Sequence, residues 1–184
     1  AQDIALYNLQ VSEQFSEDED KFEASVHREV WLEDPIWQGV RENVERLMNA
    51  TDWAETTFAS NVVFEPLVGE LLRAQFLMRF APAHNDFLTP SVIGVSAREF
   101  NERDLAYTRD MMTDFLEDET NGEANKETMQ GWLAEWVPYS LAAAQGLEPI
   151  WSEPEVQPVS FKDSFGRARS RFEGILDDLG LQVP

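Results

Sequence analysis

Cysteine is absent from the 184 residues, which excludes disulfides, thiolate metal sites and cysteine nucleophiles. Histidine is nearly absent, with only His27 and His84. Glycine and proline number nine each, few enough to leave room for long helices. β-branched runs with period-two alternation are almost lacking, so the expected class is all-α. No apolar run approaches the ~20 residues that span a bilayer, and no secretory leader pattern opens the sequence. Basic residues are the other scarcity: 14 Lys plus Arg stand against 35 Asp plus Glu, a formal charge of −21. Such a surface repels nucleic acid and anionic membranes, so neither is expected as a partner. The lack of cysteine is compatible with the cytosol, and a cytoplasmic location is expected.

The stretch Asp34–Ala81 is the organising element. Asp-Pro opens it as a helix start, and no further proline follows until Pro66. Val40, Val44, Leu47, Ala54, Phe58 and Val62 recur at helical spacing, with Arg46, Asp52 and Glu55 on the other side. From Ala59 to Leu72 only Glu65 and Glu70 interrupt an apolar surface that runs nearly all round. A helix of that kind has to be buried on more than one side. Read as continuous from Ile36 to Phe80, it would be roughly 65 Å long at ~1.5 Å per residue. Pro66 removes one backbone hydrogen bond, so a kink is expected near Val62–Phe64. Gly69 would let another backbone approach closely.

Around this long kinked helix the pattern places others. One is read over residues 1–15, followed by an acidic loop, Ser16–Asp20, and a short helix, Lys21–Leu32. The sequence enters its first helical pattern at Ile4 without a lead-in, as a processed start or a piece of a longer chain would. Residues 82–96, with two prolines and a glycine, read as an apolar, ordered connection. A helix then runs over Arg98–Leu116, with Phe100, Tyr107, Met111 and Phe115 on one stripe and Leu105, Met112 and Leu116 beside it. The break Glu117–Gly122 precedes a helix over Glu123–Gly146, kinked at Pro138, whose wide apolar face carries Met129, Leu133 and Trp136. Three prolines make Leu147–Ser160 an extended strap pinned by Ile150 and Trp151. Ser160 and Asp163 have the form of a capping box for a last helix ending near Leu179. The whole, residues 1–184, reads as one all-helical domain.

A bundle of long helices invites a search for a di-iron centre. That centre takes a Glu from each of two helices and a Glu-x-x-His from each of two others. Three residues before His27 and His84 stand Ala24 and Ala81, so the chain alone cannot assemble one. Glu65 and Glu70, five residues apart, point about 140° away from each other on a helix turning ~100° per residue. They do not form an acid/base couple, and each is expected to meet an Arg, a backbone donor or water. Ser-His-Asp triads, P-loops and GxGxxG are missing. The Met and Trp residues at 111, 112, 129, 132 and 136 read as core.

Several longer segments carry a family resemblance. They are NVVFEPLVGELLR (Asn61–Arg73), TPSVIG (Thr89–Gly94), RDLAYTR (Arg103–Arg109), NKETMQGWLAEWVP (Asn125–Pro138) and SFKDSFGRAR (Ser160–Arg169), with AQDIALYNL at Ala1–Leu9. In this order, and over essentially the whole sequence, the chain resembles the hydroxylase small (β) subunit of bacterial multicomponent di-iron monooxygenases. The nearest branch is propane monooxygenase, with phenol, toluene and methane hydroxylases further off.

The resemblance implies a ferritin-like, ribonucleotide reductase-like fold that lacks iron ligands. It also implies a non-catalytic role beside an iron-bearing α subunit, in an αβ pair that joins a second pair. Hydroxylation of a small hydrocarbon such as propane would then occur at the di-iron site of α. Electrons would come from NADH through a reductase with FAD and an iron–sulfur centre. Within the family this sequence corresponds to the C-terminal half of a longer chain, so the bundle is expected to be incomplete. Its apolar face would be covered by the other half or by self-association. No catalytic, cofactor-binding or metal-ligating residue is assigned to this chain. The competing reading is a free-standing acidic helical interaction module unrelated to oxygenases.

Overall fold

A computed structural model describes residues 24–184, and among them there are helices and connections but no strand. The helix expected over residues 1–15 and the loop Ser16–Asp20 lie outside the described residues. Helix α1 is Ala24–Glu33 and α2 is Pro35–Asn49, which Asp34 caps by accepting from the Ile36 N–H at 2.9 Å. Helix α3 covers residues 53–83.

The single helix expected over Asp34–Ala81 is therefore two helices. Ala50, Thr51 and Asp52 leave helical geometry, and Asp52 restarts the chain by accepting from the N–H groups of Ala54 and Glu55. An aspartate that can satisfy two orphan donors makes stopping and restarting cheap. Periodicity misses this because Val44, Leu47, Ala54 and Phe58 face inward on both sides of the break.

Helix α3 is the centre of the molecule. Its residues 59–77 pack against α5 (Gly122–Gly146), α7 (Phe161–Asp178) and α4 (residues 88–116). Val62, Val63, Leu67 and Leu71 are wholly buried, as the all-round apolarity demands. Pro66 does not break the helix. Ala59–Gly69 and Leu71–Leu77 are wound as π-helix, and the Glu70 N–H reaches the Glu65 carbonyl five residues back. Around Pro66 the helix runs as a long stretch of wider winding.

Three further expectations are corrected. Residues 82–96 are not mainly a connection, because α4 already begins at Leu88. Asp86 starts it by accepting from the Leu88 and Thr89 N–H groups, each at 3.0 Å. The tight turn before it places Asn85 at φ 63°, in the left-handed region that asparagine tolerates.

The stripe through Tyr107 is also displaced. Phe100–Leu105 is a π turn, and taking up one extra residue rotates all that follows by ~100°. Leu105 and Met112, expected beside the stripe, are buried together with Thr108. Met111 and Phe115 are partly buried against the core, and Tyr107 is 65% exposed.

Finally, Leu147–Ser160 is not extended throughout. Glu148–Ser152 is a short helix, α6. It seats the buried Trp151 against Phe76 and Phe161, at ring separations of 4.9 and 5.4 Å, with its indole N–H on the Ser164 hydroxyl.

Helices α2 and α5 approach each other closely. A Cβ added at Gly39 would sit 2.8 Å from the Ala143 Cα, so only glycine admits this crossing. One turn on, the buried Ser140 hydroxyl donates to Asn43 Oδ1 at 3.1 Å. Ser160 caps α7 by accepting from the Asp163 N–H at 3.1 Å, as its spacing indicated.

Candidate functional site

Charged groups inside this fold concentrate on α3, where Glu65, Gly69 and Arg73 follow at intervals of four residues. The Glu65 carboxylate receives a hydrogen bond and ion pair from the Arg73 guanidinium, and both side chains are about three-quarters buried or more. Gly69 lies beneath the pair: a Cβ there would stand 1.9 Å from Glu65 Oε2 and 3.0 Å from an Arg73 nitrogen. The close approach that Gly69 permits is thus by this ion pair, not by another backbone. Phe100 of α4 supports the guanidinium from 5.4 Å. On the next residue, Asn101 Oδ1 accepts from Arg171 of α7.

Buried Nε–H groups of Arg73 and Arg171 have no partner, nor does Gln75 Oε1. A second polar contact joins α3 to α4: the Asn61 amide donates to the Thr108 hydroxyl at 2.9 Å, which donates to the Asp104 carbonyl at 2.7 Å. An Arg partner for Glu65 is among the expectations, and Arg73 supplies it. The contacts Asn101–Arg171 and Asn61–Thr108 join different helices, and nothing local couples them.

Glu70 is half-buried and does not join Glu65. His84 sits exposed just beyond α3, its Nδ1 2.8 Å from the Phe80 carbonyl. The His27 side chain lies outside what the structure describes.

Among the described residues no group of three or more His, Asp or Glu is placed to hold a metal. A di-iron centre does not fit α3, because a positive guanidinium already occupies the Glu65 carboxylate. Chemically the arrangement is a closed ion pair.

At the break between α2 and α3 an open notch of about 540 Å³ is lined by Glu42, Glu45, Glu55 and Glu135, with Arg46 and Trp136. Here the Trp136 indole donates to Glu55 at 2.8 Å, while Arg46 bonds Glu42 and covers the Tyr139 ring at 3.8 Å. This too is surface ion pairing. Two carboxylates elsewhere are held below the usual aspartate range, both by hydrogen bonds. Asp86 is lowered by the Thr89 side chain and then its backbone, and Asp118 by the Asn121 and Thr120 N–H groups. Each stabilises a helix entry or turn.

Comparison with known proteins gives this scaffold a family. A family model described as methane/phenol/alkene hydroxylase matches residues 1–119. The propane 2-monooxygenase hydroxylase component small subunit of Rhodococcus jostii (strain RHA1) is 45% identical over all 184 residues, which make up 49% of that protein. Its counterpart from Mycolicibacterium goodii is 41% identical over the same span, again 49% of its length. The methane monooxygenase component A beta chain of Methylococcus capsulatus (strain ATCC 33009 / NCIMB 11132 / Bath) is 27% identical over 131 residues, 70% of this chain and 33% of the relative. The chain spans about half the length of the curated propane relatives it matches. On this evidence the chain belongs to the methane/phenol/alkene hydroxylase family and has its ferritin-like helical fold.

Proposed function

We propose that this chain is a non-catalytic scaffold of the hydroxylase component of a cytoplasmic di-iron hydrocarbon monooxygenase. It acts as one helical domain that buttresses a larger, iron-bearing subunit, in a pair that joins a second pair. The observation that carries this reading is Glu65. The central carboxylate of a ferritin-like bundle is neutralised by Arg73 across Gly69, where iron would need a free carboxylate. Small hydrocarbons such as propane are the proposed substrates, taken from the relatives over the full chain. Electrons reach the larger subunit from NADH through a reductase carrying FAD and an iron–sulfur centre.

Reconstitution tests the proposal. The whole protein that contains this chain is purified alone and with the larger hydroxylase subunit, and iron and propane oxidation are measured. Iron is expected only in the larger subunit, and oxidation only when both are present. Stoichiometric iron in the isolated chain would overturn the non-catalytic role. Failure to associate would favour a free-standing acidic helical module.

A further inference from the structure

We draw no further inference here: the strongest candidate, the basic groove on the exposed face of α7 between Lys162 and Arg167, is a surface patch for which nothing in the structure shows what covers it.

Discussion

At the scale of single residues, Gly69 shows how a missing Cβ sets the electrostatics of a core. The Glu65–Arg73 pair crosses the helix where any side chain at 69 would stand, so Gly69→Ala drives Glu65 off its partner. The displaced carboxylate is flexible and swings away, leaving two partly buried charges unpaired, and a loss of ~1–3 kcal/mol is expected from denaturant melts. Because the cost runs through Glu65, the double variant with Glu65→Ala should lose less than the sum of the singles. Strict additivity would sink that account. Periodicity marked Glu65 and Gly69 as unusual in an apolar run. It could not name Arg73 as the partner, because the α-helical spacing assumed is not the winding found.

Elements were legible to different degrees for one physical reason. Where amphipathic period and a cap agree, the reading held: Asp34 before α2, Ser160 before α7, and the apolar face of α5 with Met129, Leu133 and Trp136 buried. Where a cap acts inside an apolar pattern, it was missed, as at Asp52 and Asp86. Both carboxylates satisfy helix-start N–H groups that the period does not report.

Asp86 makes a pH expectation. Its folded carboxyl titrates below the ordinary aspartate value of 3.8, because the Thr89 side chain and backbone donate to it. Its contribution is therefore fully present above about that pH. The contribution is lost as pH falls through the lower, folded value. Hydrogen exchange at the Leu88 and Thr89 amides should quicken relative to α5 only below that range, and Asp86→Asn should flatten this acid dependence. Unchanged acid dependence in the variant would assign the opening to another carboxylate.

Taken as a whole molecule, the chain folds against its own charge. With 35 acidic and 14 basic residues, its ion pairs are largely exposed and worth little each. Self-repulsion therefore outweighs them, and salt that screens over ~10 Å at 0.1 M should raise the thermal midpoint. A midpoint that falls with added sodium chloride would show that the few bridges, Arg109–Asp178 among them, matter more than the net charge.

Composition and period were sufficient for the helical class, the central apolar stretch and the want of a Glu-x-x-His ligand set, since these are properties of neighbouring residues. Packing settled the rest: where α3 begins, which way Tyr107 faces, how Trp151 closes the strap, and which cation neutralises Glu65. Each of those depends on groups far apart in the chain meeting at one point, or on a single extra residue in a helical turn. An extra residue changes every facing after it, while the one-dimensional pattern before it stays the same.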